Sequence, residues 1–269
     1  MGRYHRLVGL LLVIVALLPG GPYLLASSEA AEVVPFDGTL RRIHVPVLMY
    51  HYVSELPPDA DEFRQDLTIT PNVFRAHMAY LQEQGYTTIS LYQLHEALLT
   101  GAELPPRPVV LTFDDGHIDH YVNVLPVLQD FGFTGTFFII TNLADVGHPD
   151  YVSWQQIQTM AAAGMDMESH TKSHRDLRER DADLLIYEIL GSIESLEAHL
   201  QRRVRMFAYP AGRYDDLTLA VLGSTPVLRA LTTRFGAYHT SDNRLELPRL
   251  RISGDMGVAG LAHLLDISR

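Results

Sequence analysis

Residues 109–116 read VVLTFDDG, an apolar, β-branched run that ends on two adjacent carboxylates and a glycine. Such a run, which follows Pro108, is typical of a buried strand in a parallel sheet. Asp114 and Asp115 would then lie at the C-terminal end of the strand, where α/β folds build their sites. Successive strand residues point to opposite faces, so the two carboxylates can converge only if the chain bends there. Gly116 favours such a bend.

Residues 170–174 read HTKSH and also follow a short strand-like run, residues 165–169. Two histidines four positions apart lie on one side of a helical turn or compact loop. Together with one carboxylate they form a common catalytic zinc environment that leaves positions open for water and substrate. Taken alone, the histidine pair is weak evidence in a chain with 13 histidines, and Asp-Asp-Gly alone fits a solvated turn. Both patterns, each at the end of a strand, are a much more specific indication of a metal site.

The rest of the chain alternates short apolar runs with helical patterns. Residues 45–53 and 205–209 are examples of predicted strands, residues 182–203 form the longest predicted helix, and residues 54–68 are predicted to be an exposed loop. Strands separated by helices of this length indicate repeated βαβ units and a parallel sheet. About seven or eight strand candidates favour an α/β fold of the barrel or distorted-barrel kind, in one domain.

Composition narrows the classes of function. The 269 residues carry a net charge of −11 and no cysteine. This length is sufficient for one large α/β domain with a full core. The absence of cysteine excludes disulfides and thiolate chemistry, so a metal would have to use His, Asp or Glu. The acidic balance argues against nucleic acid as a partner, because binding phosphates requires clustered Lys and Arg.

The N-terminus carries an export pattern. Basic residues at positions 3–6 precede an apolar run, residues 7–18, and small residues follow before position 30. We therefore predict a signal peptide in residues 1–30, with an uncleaved N-terminal membrane anchor as the alternative. A linker is predicted at residues 31–44 and the main domain at residues 45–269. The predicted location is outside the cytoplasm: secreted, in the cell wall, or on the outer face of the cytoplasmic membrane.

The two motifs resemble those of a known family. Thr112-Phe113-Asp114-Asp115-Gly116 and His170-Thr171-Lys172-Ser173-His174 match the first and second motifs of the polysaccharide deacetylases, also called carbohydrate esterase family four. The resemblance covers about residues 45–255. The segment Ala208-Tyr209-Pro210-Ala211-Gly212 resembles the third motif in the branch that contains poly-N-acetylglucosamine deacetylases.

The resemblance implies a distorted (β/α) barrel, usually with seven strands, and metal-dependent removal of N-acetyl groups from amino sugars. By position, Asp115, His170 and His174 would hold a divalent metal, zinc first, with Co²⁺ or Ni²⁺ as alternatives. Asp114 would be the general base. The backbone N–H of Ala211 would stabilise the oxyanion.

The chain departs from the family pattern in its third motif, where the arginine that orients the catalytic aspartate is missing. Arg249 or Arg251 could approach Asp114 from a neighbouring strand, because the two flank an apolar strand position. The alternative is that both arginines face solvent. Tyr209 and Pro210, at the end of a strand, are predicted to contact substrate.

The second departure concerns the family's Leu-x-His motif, which carries the general-acid histidine. This chain has no convincing match to it. His263 has the spacing but lies in a predicted terminal helix, so we assign it to the surface or to packing. His51, which follows a predicted strand, is the better candidate for the acid, with a hydrogen-bonded structural role as the alternative. His117 is expected near the rim of the site.

The sequence therefore predicts an exported, metal-dependent hydrolase. Its substrate would be the N-acetylglucosamine units of a cell-wall or extracellular polysaccharide. One alternative keeps the metal but removes O-acetyl groups from xylan-like polymers. Another is a glycan-binding domain without turnover, suggested by the absent arginine and acid histidine. The expected partners are the polysaccharide and, through the N-terminus, a membrane; no oligomeric state is predicted.

Overall fold

The computed structural model of the chain describes residues 36–269. The predicted signal or anchor in residues 1–30 lies outside the described residues, as does the start of the predicted linker. Within residues 36–269, none of the helices has both the length and the apolar character needed to cross a membrane.

The described chain alternates strands and helices. The strands are β1 (Arg42–His44), β2 (Val47–Tyr50), β3 (Tyr52–Val53), β4 (Thr68–Ile69), β5 (Thr87–Thr88), β6 (Pro108–Phe113), β7 (Thr136–Ile139), β8 (Asp166–Ser169), β9 (Met206–Ala208), β10 (Arg229–Phe235), β11 (Tyr238–Thr240) and β12 (Leu247–Arg251). The helices are α1 (Glu62–Leu67), α2 (Pro71–Glu83), α3 (Leu91–Thr100), α4 (Leu125–Phe131), α5 (Thr141–Asp145), α6 (Trp154–Ala162), α7 (Ala182–Leu200), α8 (Asp216–Gly223) and α9 (Val258–Ile267).

Seven parallel strands close into a barrel. Their order is β2-β12-β10-β9-β8-β7-β6, and the pairing of β6 with β2 closes the ring. Strand β5 adds to the start of β6, outside the ring. The register between β10 and β12 shifts between Leu231 and Phe235, which makes the barrel irregular there. The predicted seven-stranded distorted barrel is confirmed.

Apolar residues of β6 alternate between two cores, which explains why its sequence is continuously apolar. Val110 belongs to a cluster inside the barrel, together with Phe138 and Leu231. Val109 and Leu111 belong to the larger cluster between the barrel and its outer helices. A strand buried on both faces needs apolar residues at every position.

Capping residues fix where several helices begin. The Thr70 hydroxyl accepts a hydrogen bond from the Val73 amide, and Pro71 occupies the first helical position of α2. Ser153 and Gln156 form a reciprocal capping box at the start of α6. Each cap satisfies amides that would otherwise have no partner at a helix start. A hydroxyl residue followed by proline is a local signal for a helix start, and α2 begins there.

Two predicted boundaries are wrong. Residues 42–44 of the predicted linker form β1, which pairs antiparallel with β11, so the domain begins before residue 45. Residues 54–68, predicted as a loop, contain α1 and the start of β4, which pairs with β3. β1 and β11 lie far apart in the chain, and β3 and β4 pair across the segment that contains α1; a local pattern reveals neither pairing.

Glu168 is a completely buried carboxyl group in β8. The hydroxyl of Tyr92, in α3, donates to Oε1 at 2.8 Å, and the amides of Arg205 and Met206 donate to Oε2 at 3.0 and 2.8 Å. Burial raises the pKa of Glu168 to about 8, even though these hydrogen bonds act in the opposite direction. Removal of the carboxylate from water is therefore the larger effect.

The raised pKa gives a prediction about stability. Since the folded state binds the Glu168 proton more tightly than the unfolded chain, this group's contribution is complete below about pH 4.5 and is lost as pH rises through about 8. Glu168→Gln stays neutral. Over this window the stability of the wild type relative to this variant should therefore fall by at most about 1.4 kcal/mol per pH unit.

Urea unfolding at several pH values measures this difference. Glu194→Gln, at an exposed position of α7, is the control and should follow the wild type. Parallel pH profiles for the wild type and Glu168→Gln would contradict the prediction.

Candidate active site

The predicted site residues lie at the carboxyl ends of the barrel strands. Asp114 and Asp115 follow β6, and His51 follows β2, which is its neighbour in the ring. His170 and His174 follow β8. Loops at this end of a parallel barrel converge on one region, which is why residues far apart in the chain meet there.

Asp115, His170 and His174 form a cluster of potential metal ligands. One ligand atom from each residue lies within 4.8 Å of the other two. The Nε2 atoms of His170 and His174 are each 3.3 Å from Asp115 Oδ1. The predicted three residues are therefore brought together, with their donor atoms facing one another.

The hydrogen bonds around this cluster fit a bound cation. His170 Nδ1 is 2.7 Å from the carbonyl oxygen of Ala208, which can only accept, so the neutral ring has its lone pair on Nε2. Asp115 Oδ1 is buried and has no hydrogen-bond partner among the described residues. Two imidazole nitrogens and a carboxylate oxygen suit zinc, and Co²⁺ or Ni²⁺ use similar ligands.

The chain does bend after β6, as the sequence predicts. Asp115 has a φ of +78° and Gly116 a φ of +77°. The left-handed conformation is rare for a non-glycine residue and indicates that surrounding contacts hold it. The bend turns Asp115 towards the histidines while Asp114 stays at the end of the strand.

Glu188 anchors the loop that carries the two histidines. It lies in α7, is 1% exposed, and accepts hydrogen bonds from the Ser173 amide at 2.9 Å and from the Ser173 hydroxyl. The loop itself contains left-handed backbone at Thr171 and His174, and the Thr171 hydroxyl accepts from the His174 amide at 2.9 Å. These contacts hold strained backbone in place. A carboxyl group on the buried stripe of α7 is a sequence signal that could have identified Glu188.

Arg249 is the partner of Asp114. Its Nη1 and Nη2 atoms donate to Asp114 Oδ1 and Oδ2 at 2.7 and 2.6 Å, and its Nε donates to the Thr232 carbonyl at 3.0 Å. Arg249 and Asp114 are 1% and 2% exposed. Burial acts to raise the pKa of Asp114, but Arg249 outweighs it and holds the pKa below its ordinary value. Asp114 is therefore a carboxylate at neutral pH.

This contact decides between the two predicted arginines. The guanidinium of Arg251 pairs instead with Asp66 at the surface. The prediction of a contact with Asp114 is confirmed for Arg249 and wrong for Arg251. The arginine missing from the third motif is thus replaced by one from β12, which removes one reason to consider a domain without turnover.

His51 lies close to the Asp114 carboxylate. Its Nε2 is 4.0 Å from Asp114 Oδ2, and its Nδ1 is buried with no hydrogen-bond partner among the described residues. Burial lowers the pKa of His51 to about 4, although the two aspartates act to raise it. His51 is therefore uncharged at neutral pH in this arrangement, and its role as an acid stays a prediction.

Tyr209 does not face the site, so the prediction that it contacts substrate is wrong. Its side chain is completely buried in the outer core, and its hydroxyl donates to the Leu245 carbonyl at 2.9 Å. Strand residues alternate between faces, and it is Ala208 that belongs to the inner cluster. Pro210 is buried in the turn that follows β9, and its contact with substrate stays a prediction.

Ala211 has left-handed backbone, with a φ of +51°. The turn's hydrogen bonds are donated by the next two amides, of Gly212 and Arg213, to Tyr209 O and Pro210 O. The role of the Ala211 amide as an oxyanion donor stays a prediction.

Predictions were also made for two further histidines, His117 and His263. His117, expected at the rim, is instead 4% exposed, and its Nε2 is 3.2 Å from Asp115 Oδ2. His117 therefore directly contacts Asp115, the potential metal ligand that precedes it by two residues. His263 is exposed on α9, as expected for a surface residue.

The sequence is similar to known deacetylases. Residues 101–228 match the family model described as polysaccharide deacetylase. YxkH of Bacillus subtilis (strain 168), a protein assigned to the polysaccharide deacetylases, is 29% identical over 212 residues, which are 79% of this chain and 72% of YxkH. The poly-β-1,6-N-acetyl-D-glucosamine N-deacetylase of Escherichia coli (strain K12) is 30% identical over 138 residues. That match spans 46% of this chain but only 20% of the E. coli protein.

The structure is similar to a solved deacetylase. The deacetylase PplD of Streptococcus pyogenes, determined in complex with acetate, superposes with a TM-score of 0.77 at 28% sequence identity. The alignment covers 84% of this chain and 99% of PplD. The likeness therefore includes the whole barrel rather than a few motifs.

The buried ion pair gives a prediction about stability. Arg249→Ala should lower the free energy of unfolding by about 3–5 kcal/mol, because it leaves the Asp114 carboxylate buried without its partner. Arg251→Ala removes an exposed ion pair and should cost at most about 1 kcal/mol. Urea unfolding measures both, and equal losses for the two variants would show that the Arg249 pair is not the stabilising contact.

The anchor of the histidine loop gives a prediction about metal affinity. Glu188→Ala should weaken zinc binding by about 10–100-fold, because the loop loses the acceptor that positions its ligands. Glu188→Gln keeps an acceptor and should retain most of the affinity. Competition with a chelator measures these affinities, with Glu194→Ala, on the exposed face of α7, as the control. A Glu188→Ala affinity equal to that of the control would refute the anchoring role.

Proposed function

We propose that the chain, whose residues 101–228 match the polysaccharide deacetylase family model, is an exported, metal-dependent hydrolase acting on N-acetylglucosamine units of an extracellular or cell-wall polysaccharide. The observation that carries this proposal is the Asp114 carboxylate, held by Arg249 beside the cluster of Asp115, His170 and His174. A carboxylate kept ionised next to a ligand set with open positions is what hydrolysis of an amide requires.

Asp115, His170 and His174 would hold the metal. When bound, a divalent ion such as zinc supplies polarisation of the acetyl carbonyl and lowers the pKa of water. The protein's own contribution is the fixed orientation of these ligands, through the Ala208 carbonyl behind His170 and Glu188 behind the loop.

Asp114 would act as the general base. It takes a proton from the attacking water as the new bond to the acetyl carbon forms. Arg249 keeps this carboxylate ionised and fixes its orientation through two parallel hydrogen bonds. The Ala211 amide would donate to the acetyl oxygen as negative charge develops on it.

The leaving nitrogen needs a proton before the amine can depart. His51 would supply it, and because burial lowers the pKa of His51 to about 4, it must obtain that proton during the reaction. Asp114, whose Oδ2 is 4.0 Å from His51 Nε2, is the neighbouring group that has just accepted a proton from water. One of the two protons of the water thus reaches the leaving nitrogen, and the products are an amine and acetic acid; transfer of the acid's proton to the amine gives acetate and an ammonium group.

The class of substrate is supported by the relatives. PplD was determined with acetate, the product that any deacetylation releases. The E. coli relative acts on poly-β-1,6-N-acetyl-D-glucosamine, and the match covers 20% of its length. Export is proposed from the N-terminal sequence pattern, and it would place the enzyme where such polymers are found.

Acetate release tests the proposal. With N-acetylglucosamine oligomers and added Zn²⁺, we expect turnover that a chelator abolishes and that Asp114→Asn reduces by about 10²–10⁴-fold, because the general base is lost. Asp66→Asn, which changes an exposed carboxylate, is the control and should keep full activity. Release from acetylated xylan alone would replace the proposal with an O-acetyl esterase. No release from either substrate by folded, zinc-loaded protein would contradict hydrolysis altogether.

A further inference from the structure

A pocket of about 360 Å³ lies beside the candidate site and is not used by the proposed chemistry. It is lined by Tyr52, the first residue of β3, by Phe63 and Arg64 of α1, and by the acids Asp59 and Asp61. We call this the aromatic pocket. It is built by the segment between β3 and β4, which is not part of the barrel.

The side chains of Tyr52 and His117 connect the aromatic pocket to the cluster of potential metal ligands. The Tyr52 ring stacks on the His117 ring, with centroids 3.7 Å apart, and His117 Nε2 is 3.2 Å from Asp115 Oδ2. A polymer with one unit at the metal cluster must continue away from it. The aromatic pocket, joined to the cluster through two stacked rings, is the neighbouring cavity along which such a polymer would continue.

The wall formed by Tyr52 is rigid. The Arg64 guanidinium lies 3.3 Å from the centroid of the Tyr52 ring, so His117 and Arg64 must cover opposite faces of it. Arg64 also donates to the Ser54 and Thr68 hydroxyls at 3.2 and 3.0 Å. A pocket wall held in this way loses little conformational entropy when a ligand binds.

Phe63 is the free aromatic surface of the pocket. Its side chain is 68% exposed in the first turn of α1. A single exposed phenylalanine is ordinary, but this one lines a concave surface next to a catalytic centre. The ring offers an apolar face, and Asp59 and Asp61 offer carboxylate oxygens that accept hydrogen bonds from hydroxyl groups. A pyranose ring has both an apolar C–H face and hydroxyl donors.

We propose that the aromatic pocket is a subsite for a second sugar ring of the polysaccharide, bound next to or near the unit that is deacetylated. The ring stacks on Phe63 and its hydroxyls donate to Asp59 and Asp61. This inference rests on the proposed function and adds where a second unit of the polysaccharide binds. The subsite makes longer oligomers bind more tightly than short ones.

Binding to the full chain tests the subsite without turnover. For a six-unit N-acetylglucosamine oligomer, Phe63→Ala should weaken affinity in calorimetry by about tenfold, the amount expected when a buried aromatic contact is lost. Phe63→Trp keeps a ring and should keep the affinity. Tyr187→Ala, which removes an exposed aromatic side chain from the outer face of α7, is the matched control and should bind like the wild type.

Kinetics separate a subsite from a structural role. With the six-unit oligomer, Phe63→Ala should raise KM about tenfold at unchanged kcat, and with the single sugar N-acetylglucosamine, which leaves the aromatic pocket empty, it should change neither. An oligomer that binds wild type and Phe63→Ala equally overturns the subsite, as does a loss of kcat on both lengths with a lowered Tm. Absence of acetate release by the wild type contradicts the proposed function instead, and the binding comparison still decides the subsite.

Discussion

The ion pair between Asp114 and Arg249 is the contact on which the site depends. Each group is almost completely buried, and either would be strongly destabilising there without the other. The strand that carries Arg249, β12, is separated from β6 by β2 in the ring, so the guanidinium reaches the carboxylate across the barrel mouth. It also bonds to Thr232 of β10, which ties three strands to one carboxylate. Only a closed barrel brings these strands together.

The same arrangement, a buried polar group held by a second partner, recurs around the site. His170 is fixed by the Ala208 carbonyl, and the histidine loop is fixed by Glu188. Each partner belongs to a different element from the residue it holds, namely β9 and α7. The left-handed backbone at Asp115 and His174 is strained, and it is stable only because these neighbours over-determine its position. The precision of the ligand cluster is therefore a property of the packed barrel and not of its motifs.

The local parts of the site could be predicted from the sequence, and the long-range parts could not. Each of the two motifs is a short, continuous segment of the sequence. The start of α2 is equally local, because Thr70 and Pro71 form its cap from adjacent positions. Arg249 and Arg251 lie on the same face of β12, so the alternation of side chains cannot choose between them, and the choice depends on the register of β12 against its neighbours. The error at Tyr209 has another cause, because a one-residue shift reverses every side chain of a strand and Ala208 occupies the inner face. Glu188 and its partner Ser173 are joined only by the fold, since a helix and a loop must first pack.

In the proposed function, the hydrolytic residues and the sugar subsite belong to different parts of this chain. The ligand cluster and its base depend on β6, β8 and β12, whose positions are set by the closed barrel. The aromatic pocket is built by the segment that contains β3, α1 and β4. Val53 of β3 connects this segment to the barrel side: its amide donates to the Asp119 carboxylate, and its carbonyl accepts from the Asn123 side chain. Tyr52 of this segment is coupled to the ligand cluster through His117, but Phe63 contacts neither, so it can change without moving Asp114, His170 or His174. Because loops on a rigid barrel vary more easily than its strands, the preference for a particular glycan can change while hydrolysis is retained.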